Sequence, residues 1–354
     1  MKIGFFTDAS PEIGYGHLMR CRALADAINS FGGSCTMVGL SEAYRQSDDN
    51  KRFTDWIETN EWRGEEESAR HLLKVLSEHS CDCVVLDDYR VDAVFQEVVY
   101  SAGVRFALFD HRIKRPIFAD WTINASPGVV PAEYRSFLFA ADPRLFVGTR
   151  FAILRSTFRD VAVRVHSKIH SPPIVLLSFG GGDDRGALQF VLDALYSALP
   201  NVEFIVISGR QNPRIEELNR QVCGMKLSRV SIYIEPDDIV DLFLKSSLAI
   251  TAGGTMTFEL ARCGVPMVLL TVANNQIRQA EGWDASGNAI HLGSLYETSS
   301  EVLIDSVLQL LSDPDRLYRM RKIGVQLVDG HGADRVARGL VLGNGYDNNV
   351  AVQG

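Results

Sequence analysis

Short apolar runs alternate with longer amphipathic stretches along almost the whole chain, and this alternation constrains the fold more than any single residue. Apolar runs of strand length, separated by helix-length segments, mark strands buried on both faces of a parallel sheet. In the first half such runs lie at 2–7, 35–38, 83–86, 105–109 and 121–124, with helical patterns such as 68–78 and 91–101 between them. In the second half they lie at 173–178, 204–208, 230–234, 248–251, 267–271 and 289–291. Helical patterns at 186–199, 215–221, 239–245, 256–263 and 277–282 fill the gaps. The charged stretch 42–66 reads as loops and a surface helix, and 301–328 as one helix. Polar residues 159–172 read as a linker, and the tail from Asn344 has no periodicity. The expectation is an α/β protein with two Rossmann-like parallel-sheet domains, 1–158 and 173–330, facing a cleft, and a C-terminal extension, 331–354.

Composition narrows the function. A net charge of −8 gives no help against phosphate backbones, so nucleic acid is not an expected partner. No apolar stretch is long enough to span a bilayer and the chain opens directly on a strand, so a cytoplasmic protein without membrane insertion is expected. The six cysteines are scattered, mostly in apolar segments, and read as reduced core thiols. No metal-ligand spacing and no obligate protein partner is evident.

The first strand leads into Ile13-Gly14-Tyr15-Gly16-His17-Leu18-Met19-Arg20, where a helical pattern starts. Two glycines let backbone approach a ligand, and a helix N-terminus favours an anion. His17 and Arg20 lie about one turn apart there, and a histidine in that place suits a general base. A plain helix start with a solvent-facing histidine fits the same residues. Other strands end in Asp87-Asp88-Tyr89, Phe179-Gly180-Gly181-Gly182, Ala252-Gly253-Gly254-Thr255 and Ala273-Asn274-Asn275-Gln276. Strand C-terminal ends are where such folds bind ligands. Gly253, Gly254 and Thr255 offer bare N–H groups and a hydroxyl to a pyrophosphate, and Glu259, one turn deeper, can accept from a ribose diol. Tight strand–helix packing explains the same glycines. Asn274, Asn275 and Gln276 suit sugar hydroxyls or acetamido groups, or cap a helix. No Gly-Lys-Ser/Thr loop, complete dinucleotide fingerprint or Gly-x-Ser-x-Gly elbow occurs, which argues against ATP, NAD and serine hydrolysis. Asp110-His111-Arg112 reads as cleft architecture.

Taken in order, Asp8-Ala9-Ser10, the 13–20 motif, Leu86-Asp87-Asp88-Tyr89 and Ala152-Ile153-Leu154-Arg155 resemble the PseG-type nucleotide-sugar hydrolases and the related SpsG-like spore-coat proteins. Ser178-Phe179-Gly180-Gly181, Ala252-Gly253-Gly254-Thr255 with Glu259, and Asn274-Asn275-Gln276 continue the resemblance to about residue 330. It implies a GT-B-like fold, similar to MurG-type glycosyltransferases. It also implies metal-independent, cofactor-free hydrolysis of UDP-2,4-diacetamido-2,4,6-trideoxy-β-L-altropyranose in the pseudaminic acid pathway. By resemblance, His17 is the base, with Asn275 and Tyr89 assisting in the sugar site. Gly14, Gly16, Arg20, Gly180, Gly181, Asn274 and Gln276 belong to the substrate site, Gly253–Thr255 hold pyrophosphate, Glu259 the ribose, and the segment from Ile234 to Ile239 the uracil. The chain departs from the family pattern at Asp88 and Arg90, where a histidine and a glycine are usual. A UDP-sugar glycosyltransferase and a non-catalytic nucleotide-sugar binder are the alternatives.

Overall fold

The structure is a computed structural model that describes residues 1–10, 15–59, 62–110, 113, 115–161, 171–224 and 227–343. The first sheet contains β1 (Lys2–Thr7), β2 (Ser34–Val38), β3 (Asp55–Ile57), β4 (Cys83–Asp87), β5 (Arg105–Phe109), β6 (Trp121–Asn124) and β7 (Arg144–Val147). The second contains β8 (Ile174–Ser178), β9 (Glu203–Ser208), β10 (Val230–Ile234), β11 (Leu248–Thr251), β12 (Met267–Thr271) and β13 (Ala289–Ser294). The spatial orders are β3-β2-β1-β4-β5-β6-β7 and β10-β9-β8-β11-β12-β13. All pairings are parallel. Both sheets are doubly wound, with the order reversing beside β1/β4 and β8/β11, where a crevice opens at the strand ends.

Each sheet is buried on both faces, as the continuous apolar runs require. Ile3, Phe5, Cys83 and Val85 point into one layer with the helix Gly16–Ser30, while Phe6, Val84 and Leu86 point into the other with Leu72, Leu76 and Phe95. The second sheet divides the same way, with Val175 and Leu177 on one side and Leu176 on the other. Gly4 is required by packing, since a Cβ there would lie 2.5 Å from the Leu76 methyl.

Three expectations needed correction. The segment 42–66 contains β3 besides its short helical turns, and β7 was not expected at all. Both are short strands at sheet edges, with one neighbour each. The single helix expected over 301–328 is two, Ser300–Leu311 and Pro314–Leu327. Pro314 takes the first position of the second helix, and the Asp313 side chain accepts from the Arg316 N–H. The linker residues 162–170 and the tail from 344 lie outside the described residues.

The chain crosses between sheets twice. Ala152, Leu154 and Phe158 pack into the second domain's core. The helix Gly332–Leu342 then returns, burying Ala333, Val336, Ala337 and Leu340 against the first domain. Truncation after residue 331 removes Val336 and Leu340 and exposes the apolar first-domain surface they cover, about 3–6 kcal/mol of burial, and is expected to lower the melting temperature of the first domain. Unchanged calorimetric unfolding would refute that.

Candidate active site

The loop after β1 and the end of β4 build one half of the site. His17 is 5% exposed, in the first turn of Gly16–Ser30. Its Nδ1 lies 2.9 Å from the Asp87 carbonyl oxygen, which only accepts, so Nδ1 carries the proton and Nε2 is the basic nitrogen. The Asp87 carboxylate is 3.2 Å from the same Nδ1. Arg20 binds that carboxylate in fork geometry, Nε to Oδ2 at 2.7 Å and Nη2 to Oδ1 at 2.5 Å, and its guanidinium stacks 4.5 Å from the Phe109 ring centroid. The ion pair holds the guanidinium above its ordinary range despite burial. Arg20, expected to bind substrate, is thus committed to orienting the carboxylate behind His17.

The Tyr89 ring meets the His17 ring edge-on, with centroids 4.4 Å apart. Asn275, after β12 of the other sheet, donates from Nδ2 to the Tyr89 hydroxyl at 2.8 Å. Three residues separated widely in sequence therefore form one contact chain between the domains. The two glycine turns also meet: a Cβ on Gly16 would lie 3.3 Å from Thr255 Oγ1, and one on Gly181 would lie 3.7 Å from Tyr15 Cδ2. Gly180 has φ +100°, a conformation that favours glycine.

The Gly253–Thr255 turn leads into a helix of seven residues, Met256–Arg262. With so short a helix, bare N–H groups matter more than dipole. Nothing lies within 4 Å of a Cβ built on Gly254, whereas one on Gly253 would strike the Gln276 carbonyl at 2.7 Å. The turn is braced: the Gly254 carbonyl accepts from Thr257 Oγ1 and Gln279 Nε2, both at 2.7 Å, and Trp283 Nε1 donates to Thr257 Oγ1 at 2.8 Å. Glu259 receives Arg155 Nε at 3.0 Å and Nη2 at 2.9 Å on Oε1. Burial pushes its carboxyl up, and Arg155 opposes that push.

Several expected site residues serve other purposes. Gln276 Oε1 accepts from the Val272 N–H at 3.0 Å and closes its own loop. The Ile239 side chain is buried in the core beside Leu242 and Phe243, so only its backbone is available to a ligand, whereas Ile234 is 39% exposed at the end of β10. Asn274 is exposed beside Asn275. Gly14, His111 and Arg112 lie outside the described residues, while Asp110 is fully buried and accepts from Tyr134 Oη at 3.0 Å. The sequence reading assigned no role to Arg155, Thr257, Gln279 or Trp283. The motif containing Arg155 was visible, but its pairing with Glu259 was not.

No protein-family model matches the chain. It is 27% identical over 275 residues to the uncharacterized protein MJ1062 of Methanocaldococcus jannaschii, covering 76% of this chain and 55%, about half, of that protein. It is 23% identical to the Bacillus subtilis spore coat polysaccharide biosynthesis protein SpsG, across 99% of this chain and 100% of that one. It is also 23% identical to a Campylobacter jejuni UDP-2,4-diacetamido-2,4,6-trideoxy-beta-L-altropyranose hydrolase, across 73% and 87%. Among solved structures it is similar to Acinetobacter baumannii MurG, with a TM-score of 0.65, 15% identity and coverage of 95% and 98%. It is likewise similar to the S. aureus MnaA–UDP co-structure, at 0.66, 13%, 96% and 95%. The chain therefore has the GT-B-like fold that the resemblance implied, and a UDP-sugar hydrolase is among the proteins to which it is distantly similar.

Proposed function

We propose that this protein hydrolyses a UDP-linked diacetamido-trideoxy sugar, releasing UDP and the free sugar with inversion at the anomeric carbon. The observation that supports this reading best is the His17–Tyr89–Asn275 chain lying against the facing glycine turns. Water attacks the anomeric carbon while His17 Nε2 takes its proton. The C–O bond to UDP breaks, and its electron pair leaves on the β-phosphate. N–H groups of the Gly253–Thr255 turn stabilise the departing charge. Asn275 and Tyr89 hold the sugar, and the segment from Ile234 to Ile239 takes the uracil. A glycosyl pyrophosphate already has a good leaving group, so positioning and charge stabilisation suffice, and chelation by EDTA is expected to leave turnover unchanged.

The test is mass spectrometry of the products in labelled water, using UDP-2,4-diacetamido-2,4,6-trideoxy-β-L-altropyranose. Label at the sugar's anomeric hydroxyl supports the reading; label in UDP means attack at phosphorus and overturns it. UDP, and not NAD, is expected to raise the melting temperature.

Glu259 gives a pH prediction under this reading. Ionised, it accepts from ribose hydroxyls; protonated, it has lost that capacity in part. Because its pKa is raised, UDP affinity falls on acidification at a higher pH than an exposed glutamate would give. Arg155→Met removes the opposing cation and moves the midpoint higher. Calorimetric titration of UDP from neutral to acidic pH reads the shift, and an unmoved midpoint refutes the role of Arg155.

A further inference from the structure

The helix Ile277–Ser286, with the turn Asn274–Gln276 that leads into it, carries two adjacent stripes of contacts. One stripe grips its own domain. A Cβ on Gly253 would lie 3.3 Å from the Ala280 Cβ, Gln279 Nε2 donates to the Gly254 carbonyl at 2.7 Å, and Trp283 Nε1 donates to Thr257 Oγ1 at 2.8 Å. The other stripe faces the first domain. Asn275 Nδ2 donates to the Tyr89 hydroxyl at 2.8 Å, Arg278 Nη2 donates to Glu133 Oε2, and a Cβ on Gly282 would lie 2.3 Å from the Pro127 carbonyl oxygen. Positions 275, 278 and 282 follow the three-and-four spacing of one helix face. Alanine is the better helix former at an interior position, so Gly282 serves the close approach and not the helix.

The first-domain partners of this stripe share one buried network. Glu133 keeps its other oxygen, Oε1, on the Val130 N–H at 3.1 Å. Its neighbour Tyr134 is fully buried, donates from Oη to Asp110 Oδ2 at 3.0 Å and accepts from Asn124 Nδ2 at 2.8 Å. Asn124 Oδ1 takes the Ser126 N–H at 3.0 Å, which fixes the chain leading into Pro127. Asp110 directly follows Phe109, the ring on which Arg20 stacks while it holds the carboxylate behind His17.

We infer that Glu133 and Arg278 are positioning residues, whose ion pair fixes the register at which the Gly253–Thr255 turn meets His17 and Tyr89. This rests on the function proposed above. The Asn275–Tyr89 hydrogen bond alone is one point, about which the helix can still rotate. A second contact one turn further on removes that rotation. The pair acts through the helix: a shift at Arg278 carries Gln279 and Ala280 with it, and they brace the turn. A misplacement of about 1 Å between reacting groups costs on the order of a hundredfold in rate, so register is worth holding.

The test measures hydrolysis of UDP-2,4-diacetamido-2,4,6-trideoxy-β-L-altropyranose and calorimetric UDP binding in Glu133→Gln, Arg278→Met, their double variant and Arg278→Lys. Glu133→Gln keeps an acceptor for the Val130 N–H and removes only the charge, and both side chains are partly exposed, so the variants are expected to fold. Expected in each of the first two is a kcat lower by about tenfold with UDP affinity unchanged. The double variant should lose no more than either single one, and Arg278→Lys, which keeps the cation, should retain most of the rate. Gly282→Ala strikes Pro127, opens the seam from its far end, and should lower kcat in the same way. Unchanged kcat in either single variant, additive losses in the double one, or UDP affinity falling in step with kcat overturns the positioning role and leaves the hydrolase reading standing. No consumption of the nucleotide sugar by the unaltered protein overturns the hydrolase reading. Amide hydrogen exchange of the ligand-free proteins then decides the pair: faster exchange over residues 126–134 and 274–286 in Arg278→Met supports it, and identical exchange overturns it.

Discussion

Replacing His17 with alanine is expected to lower turnover by about a hundredfold or more while UDP still binds. The proposed nucleophile has to lose a proton, and with its own proton fixed on Nδ1 by the Asp87 carbonyl, His17 keeps Nε2, buried here beside the Tyr89 ring, as the nitrogen that would take it. The turn proposed to hold UDP belongs to the other sheet and has its own bracing by Thr257, Gln279 and Trp283, so it should survive the change. Single-turnover rates beside calorimetric UDP binding make the measurement. Full activity in the variant removes His17 from the chemistry; equal loss of UDP affinity makes it a structural residue.

The second large effect concerns stability. Arg20→Met leaves the Asp87 carboxylate, 1% exposed, without its cation. Breaking one side of a buried ion pair costs about 3–5 kcal/mol, because a charge stays behind without compensation. The variant should melt well below the unaltered protein. Arg20→Met with Asp87→Leu should regain much of that stability, since an apolar pair of similar volume fits a buried site. Activity should not return with it, because the carboxylate beside His17 is gone. A double variant no more stable than the single one would refute this account of the pair.

The fold was readable where physics writes on one segment at a time. β1, β4, β8 and β11 sit inside their sheets and are buried on both faces, so each is a run of apolar residues. β3 and β7 have one neighbour each, and their few residues carry no comparable run. The division at Asp313-Pro314 was written in the sequence, but apolar periodicity on either side masks it. Within the site, glycine turns and the residues after strands were visible because each motif is local. Arg155 and Glu259 stand 104 residues apart, and nothing local in either announces the other. The same holds for Arg20: its motif suggested a ligand contact, and a carboxylate 67 residues away claims it. Burial separates Ile239 from Ile234, which the family resemblance assigns together to the uracil.

The paired crossings between the sheets have a mechanical consequence. The outgoing stretch and the returning one touch: a Cβ on Gly332 would lie 2.2 Å from the Ala152 carbonyl, Arg159 donates to Asp334 at 2.6 Å, and Arg335 donates to the Arg150 carbonyl at 2.7 Å. Two lobes on one covalent thread can swivel freely, but two threads lashed together make a door on a hinge. Relative motion of the two sheets is therefore constrained toward a bend about the paired crossing, which keeps His17 and the Gly253–Thr255 turn facing each other.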